Sequence, residues 1–113
     1  SANEVPPPPP TEETAHAQLP SEYRLDQAFP NPFNPKTVIG YSLPVGSKVT
    51  LTVYNVLGQV VSVLIDGMQE AGYKLVSWTA NSASGVYYYR IEATSVSDPS
   101  KSFSQVKKLL LLK

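Results

Sequence analysis

Residues Lys48–Gly58 read KVTLTVYNVLG, and this stretch decides the fold. Val49, Leu51 and Val53 alternate with Thr50, Thr52 and Tyr54, the period of a strand with one buried face and one wet face. The alternation stops at Asn55–Gln59, NVLGQ, where Gly58 can take a positive φ without a Cβ penalty. A strand that ends this way predicts a tight hairpin. QVVSVLI supplies the returning partner over Val60–Ile65.

The same period spreads outward from that hairpin. In TVIGYSLP, Ile39, Tyr41 and Leu43 share a face; in KLVSWTA, Val76 and Trp78 do. GVYYYRIEA sets Tyr87, Tyr89 and Ile91 on one side, with Tyr88 and Arg90 on the other. A last strand runs from about Ser102 to Leu112, and a short one lies near Tyr23–Ala28, which makes about seven. Turns are expected at Pro44–Ser47, from Asp66-Gly67 to Ala71-Gly72, at Asn81–Gly85 and at Ser97–Ser100. Nowhere does a ten-residue helical period appear, so βαβ units are excluded. Short strands at this spacing predict an all-β fold, a small antiparallel sandwich. Leu51, Val53, Val76, Trp78, Tyr87, Tyr89 and Ile91 are expected in its core, with Tyr88 facing out.

Ahead of the second strand stands FPNPFNP, Phe29–Pro35. Pro30, Pro32 and Pro35 remove three amide donors and restrict the residues before them. The segment cannot be a central strand. Asn31 and Asn34 are expected to bond nearby backbone in Asx-turns, while Phe29 and Phe33 anchor the kinked chain over the core. It reads as a rigid clasp between an upstream linker and the sandwich.

Composition sets the limits. The 113 residues are 42% hydrophobic and 16% charged, which suits one small domain. Nine Lys and Arg balance nine Asp and Glu, so no net basic field attracts nucleic acid or an anionic membrane. The longest apolar run, Leu109–Leu112, is far shorter than the roughly 18 residues of a membrane helix. Residues 1–20, SANEVPPPPPTEETAHAQLP, hold too few large apolar side chains for a core. Pro6–Pro10 favours polyproline II, a stiff spacer. We therefore divide the chain into a Pro-rich linker at 1–20, leaving an upstream domain, and a sandwich at 21–113. Ser1 in place of Met suggests a piece of a longer protein.

Catalytic patterns are missing. Cys is absent and the single His, His16, lies in the linker, so no catalytic residue, metal ligand set or cofactor site is assigned. Asp66, Glu70, Glu92 and Asp98 lack calcium-loop spacing. Gly58, Gly67, Gly72 and Gly85 do not form a phosphate loop. The reading is of a protein that is not an enzyme.

Taken together, LDQAFPNPFNPKTVIGYSLP, VTLTVYNVLGQVVSVLIDG, AGYKLVSWTA, ASGVYYYRI and KKLLLLK resemble successive blocks of the type IX secretion system C-terminal sorting domain, type A. That family is related to the immunoglobulin-like domain of the flagellar hook-capping protein. The resemblance runs from about Leu19 to Lys113. It departs at the insertion-like SVSDPSKSFSQ, which leaves the register of the last strand open, and at Thr79-Ala80 after the Trp. Phe29, Pro30, Asn31, Pro32, Phe33, Asn34, Pro35, Gly58, Trp78 and Gly85 carry its structural motif.

The resemblance implies a seven-stranded immunoglobulin-like or fibronectin-like sandwich that acts as a secretion signal in Bacteroidota and related bacteria. It implies as partners an outer-membrane translocon, a sortase-like surface peptidase and an upstream cargo in the same chain. The domain would itself be a monomer without stable membrane insertion. Transit through the periplasm to the cell surface or exterior is expected, with cleavage in the exposed linker between Thr11 and Glu22. Two other classes fit the residues: a carbohydrate-binding module, which would need an outward aromatic row or polar groove, and a structural immunoglobulin-like spacer.

The last stretch, KKLLLLK, places leucines on both strand faces. Leu109 and Leu111 share one face, Leu110 and Leu112 the other. One pair is expected to complete the core and the other to stay partly exposed. Lys107, Lys108 and Lys113 flank the run and discourage uncontrolled edge pairing. Lys107, Lys108, Leu109, Leu110, Leu111, Leu112 and Lys113 are the recognition candidates, read in part by addition of a free strand edge to a partner.

Overall fold

The computed structural model describes residues 19–113. The Pro6–Pro10 run, His16 and all but the last two residues of the 1–20 linker lie outside the described residues. Seven strands form: β1 (Arg24–Leu25), β2 (Lys36–Leu43), β3 (Ser47–Asn55), β4 (Val60–Gln69), β5 (Gly72–Thr79), β6 (Gly85–Ser95) and β7 (Ser102–Leu111). They make a three-stranded sheet, β1-β2-β5, and a four-stranded sheet, β4-β3-β6-β7. Every strand pair is antiparallel. The all-β, seven-stranded sandwich expected from the alternation is the fold observed.

The core follows the alternation. Ile39, Tyr41 and Leu43 of β2 meet Val49, Leu51 and Val53 of β3 and Tyr87, Tyr89 and Ile91 of β6, all buried. Trp78 closes one end, tilted on Phe33 at 5.5 Å and edge-on to Tyr87 at 5.9 Å between ring centroids. Both separations suit the ring quadrupoles, which disfavour direct face-to-face stacking. The Tyr89 hydroxyl donates to Asp26 O at 2.7 Å and accepts from Ala28 N at 2.8 Å. It thereby ties the entering chain to the far sheet. Burial pushes the Tyr89 pKa up to about 12.

Several expectations need correction. Val76, on the edge strand β5, is half-buried rather than a full core residue. Asp66-Gly67 is not a turn: β4 continues to Gln69, and Glu70-Ala71 makes the reversal. The first strand contracts from Tyr23–Ala28 to Arg24–Leu25, with one further bridge at Phe29–Val38.

In β4 the alternation breaks twice. Register shifts between Leu51 and Thr52, and between Val53 and Tyr54, leave Leu64 and Val61 as extra residues. Bulges of this kind turn successive side chains toward the same side. Val61, Leu64 and Ile65 accordingly all pack on the core.

The turn after β3 forms as read. Gly58 has φ 81°. Asn55 Oδ1 accepts from Leu57 N and Gln59 N at 2.9 and 3.0 Å. The insertion between β6 and β7 is also resolved. Ser95, Ser97, Asp98 and Ser100 bond one another in a tight turn, in which the Ser100 hydroxyl and then its amide hold the Asp98 carboxyl below its ordinary pKa. With that loop closed, Tyr87 pairs Leu109 and Ile91 pairs Gln105, which sets the register of the last strand.

Candidate functional site

The recognition candidates sit on β7 and just beyond it. The β7 register puts Lys107, Leu109 and Leu111 opposite Tyr89, Tyr87 and Gly85, on the inner face. Leu109 and Leu111 are fully buried, and Lys107 is half-buried on the same face near the sandwich rim. Lys108 and Lys113 are exposed, Leu110 is half-buried and Leu112 is 50% exposed. The division of the leucines into a core pair and a displayed pair is as the alternation required.

The proline clasp lies against this strand end. Phe33 N donates to Leu110 O at 2.9 Å, and Leu112 N donates to Phe33 O at 3.0 Å, making a parallel bridge. Asn31 Oδ1 accepts from Leu110 N at 3.0 Å, while Asn31 Nδ2 donates to Lys108 O at 3.2 Å. Gln27 Nε2 donates to the same carbonyl at 3.0 Å. Lys113 N is held by Ser84 Oγ at 3.0 Å. On its other side the clasp is tied by Thr37 Oγ1 to Pro30 O at 2.7 Å and by Ala80 N to Pro35 O at 2.8 Å.

This arrangement revises two readings of the clasp. Asn31 does not make a local Asx-turn; its amide mimics a strand and pairs with backbone 77 and 79 residues away. Only Phe33 of the two phenylalanines anchors. Phe29 is 80% exposed, because its bridge to Val38 turns it onto the outer face of the three-stranded sheet.

The clasp also changes what β7 can offer. β7 is an edge strand, and the backbone groups that point away from β6 in its terminal half belong to Lys108, Leu110 and Leu112. Gln27, Asn31 and Phe33 already occupy the carbonyls of Lys108 and Leu110 and the amides of Leu110 and Leu112. The terminal edge is therefore taken, and a partner strand could pair there only by displacing the clasp. The other edges carry blunting devices of their own. β4 carries its two bulges, β1 has two residues, and β5 and the open half of β7 set Lys74 and Lys107 on the inner face, opposite Tyr41 and Tyr89.

A shallow cleft of about 330 Å³ lies elsewhere, on the outer face of the four-stranded sheet, lined by Tyr54, Asn55, Val56, Gly58, Tyr88, Arg90 and Val106. Tyr54 and Tyr88 are directly paired across β3 and β6. They form a pair, not the row along the sheet that a sugar platform needs. Sequence reading found Tyr88 but missed Tyr54 as its partner, since only strand pairing brings the two together. Among the described residues no group of three or more His, Cys, Asp or Glu is placed to hold a metal ion.

Residues 27–108 match the family described as "Secretion system C-terminal sorting domain". The matched span takes in the clasp and β2 through most of β7. No curated protein matches the chain. Among solved structures, the crystal structure of CopC from Methylosinus trichosporium OB3b is similar at 11% identity, with a TM-score of 0.51, covering 80% of this chain and 93% of that one. At that identity the likeness is one of fold alone.

Proposed function

This chain belongs to the type IX secretion system C-terminal sorting domain family, a family of non-catalytic secretion signals, and from that premise we propose that its clasp-held strand end is the surface the translocon reads. The family implies passage through the periplasm to the cell surface by the type IX machinery. The match across residues 27–108 carries this reading. The finer assignment concerns Lys108, Leu110, Leu112 and Lys113. Their side chains are displayed while Leu109 and Leu111 lock the backbone beneath them. A backbone held in this way presents two aliphatic groups and two ammonium groups without a further cost for ordering the main chain on binding. Recognition then proceeds through side chains rather than strand addition, because the terminal edge is bonded to the clasp. The upstream cargo is released or attached after a sortase-like peptidase cuts between Thr11 and Glu22.

The test fuses the whole chain to a periplasmic reporter in a bacterium with the type IX system. Deleting Leu111–Lys113 would remove a core residue, so substitution is the cleaner perturbation. Lys108→Ser, Leu112→Ser and Lys113→Ser are combined, and surface reporter is measured beside periplasmic abundance and protease resistance. Loss of surface delivery with the fold retained supports the strand-end reading. Undiminished delivery refutes it. Failure of the unsubstituted fusion to reach the surface counts against the translocon reading itself.

A further inference from the structure

The fold sorts the charges of this formally neutral chain into two unlike halves. In the four-stranded sheet, Asp66 and Glu92 share the row of Thr50; beside the three-stranded sheet, Asp26 N donates to Gly40 O, halfway along β2. Glu22, Glu70 and Asp98 lie farther from the clasp, before β1 and in the turns after β4 and β6. These are all six acidic residues of positions 19–113. Toward the clasp stand Lys36 opposite Thr79, Lys107 and Lys108 opposite Tyr89 and Tyr88, and Lys113 beyond β7. The clasp end therefore holds four ammonium groups and, among the described residues, no Asp or Glu. The ion pairs among the described residues, Arg24–Asp26 and Arg90–Glu92, leave these lysines out. A net charge of zero hides this local field, because strand register, not composition, separates the signs.

The same end carries bare aliphatic tips. In the turn between β3 and β4, Val56 is 65% exposed and Leu57 78%, and exposed Leu112 stands past the end of β7. The turn is stiff: Asn55 Oδ1 holds the amides of Leu57 and Gln59, and Gly58 takes φ 81°. Val56 and Leu57 are thus held out in water. Scattered exposed aliphatics need no account, but aliphatics gathered at a cationic end do.

Depth selects the partner. Lys108 shares a row with Tyr88 and Tyr54. Val56 follows Tyr54 by two residues and so stands about 7 Å farther out along the strand axis. Lys36 and Lys108 are exposed on the two sheets, with Lys107 at the rim between them. Their long apolar stems let the ammonium groups adjust along that axis. Aliphatic tips in front, with ammonium groups behind and around them, match a bilayer whose anionic headgroups overlie acyl chains. An apolar element that enters by about 5–10 Å reaches that boundary. An acidic protein surface would pair with the lysines without calling for aliphatic tips ahead of them.

We propose that the clasp end docks on an anionic lipid surface, with Val56, Leu57 and Leu112 at the acyl boundary and the clasp-end lysines among the headgroup phosphates. The contact is peripheral and reversible, since turns enter and no segment spans. Ser21 and Glu22 share a cleft with Pro44 and Ser100 at the opposite end, so docking points the entering chain away from the membrane. The proposal goes beyond the translocon reading. The two share Lys108, Leu112 and Lys113, but Val56, Leu57 and Lys36 act only in lipid docking.

Co-sedimentation of the full chain with vesicles tests this, using phosphatidylcholine with and without phosphatidylglycerol. Binding is expected only where phosphatidylglycerol is present, and it should weaken as salt shortens the screening length. Val56→Ser with Leu57→Ser should lower the partition coefficient by at least about tenfold, through lost aliphatic burial. Lys36→Ser and Lys108→Ser should each lower it by roughly fivefold. Lys48→Ser and Met68→Ser, at exposed positions toward the opposite end, should leave it near the parent value. Urea midpoints check that every variant keeps its fold. Absent binding to phosphatidylglycerol vesicles at low salt overturns the proposal, and so does a loss from Lys48→Ser as large as that from Lys108→Ser. Binding that survives Val56→Ser with Leu57→Ser and is displaced by polyglutamate overturns it in favour of an acidic protein partner. None of these results bears on the translocon reading, which surface delivery of the reporter decides.

Discussion

Truncating the two phenylalanines of the clasp one at a time exposes the difference between an anchor and a displayed ring. The residues are four positions apart, identical in type and each next to one proline. Phe33 is 2% exposed and packs on Trp78; Phe29 is 80% exposed. Removing a buried phenyl ring forfeits its transfer free energy and leaves a cavity, together about 3–5 kcal/mol. Phe33→Ala keeps the backbone bonds from residue 33 to Leu110 and Leu112, so the loss is that of the side chain. For a domain of this size total stability is on the order of 5–15 kcal/mol, and each kcal/mol shifts Tm by roughly 4–8 °C. Phe33→Ala should therefore lower Tm by at least about 12 °C, whereas Phe29→Ala should stay within about 0.5 kcal/mol of the parent. Urea unfolding measures both, with the denaturant slope unchanged if the unfolded state is the same. A Phe33→Ala midpoint equal to the parent's, or a Phe29→Ala loss as large as that of Phe33→Ala, would refute the account of the clasp.

Tyr89→Phe deletes the hydroxyl shared by Asp26 O and Ala28 N, leaving the buried amide without its partner, and should cost about 1–3 kcal/mol by the same unfolding assay. Burial raises the Tyr89 pKa to about 12, so the folded state favours the neutral phenol. Its contribution is whole below the ordinary tyrosine value of about 10 and fades as pH climbs from there to about 12. Burial also raises the Tyr41 pKa, so tyrosinate absorbance should show late titration with a component that Tyr89→Phe removes. Asn31→Ala opens two bonds to β7, so the Leu110 amide should exchange with deuterium much faster while the Tyr89 amide in β6 is little affected; equal protection of Leu110 would contradict the stitching. Gly58→Ala forces a side chain into φ 81° and should destabilise by about 1–2 kcal/mol, whereas Gly67→Ala, where no atom crowds the added Cβ and φ is not positive, should be near neutral.

The amino-acid sequence by itself determined the strands, their inward faces and the hairpin at Gly58. Each of these follows from interactions within a few residues: alternation along one backbone, or a φ that only glycine takes freely. The split of the terminal leucines was legible for the same reason, since a period of 2 must send Leu109 and Leu111 one way and Leu110 and Leu112 the other. Tertiary structure decided what depends on a partner far along the chain. Asn31 could have capped its own turn; it pairs with β7 because the fold brings an unpaired edge carbonyl and amide within its reach. Phe29 and Phe33 look alike in sequence, yet one bridges Val38 on the outside and the other meets Leu111 over the core. In β4, bulges opposite β3 overrode the alternation so that Val61, Leu64 and Ile65 could all reach apolar neighbours. Local periodicity sets which way a side chain points relative to its own backbone. Only the packing of one sheet on another, and of the clasp on β7, determines what it meets there, because those contacts join backbone separated by dozens of residues.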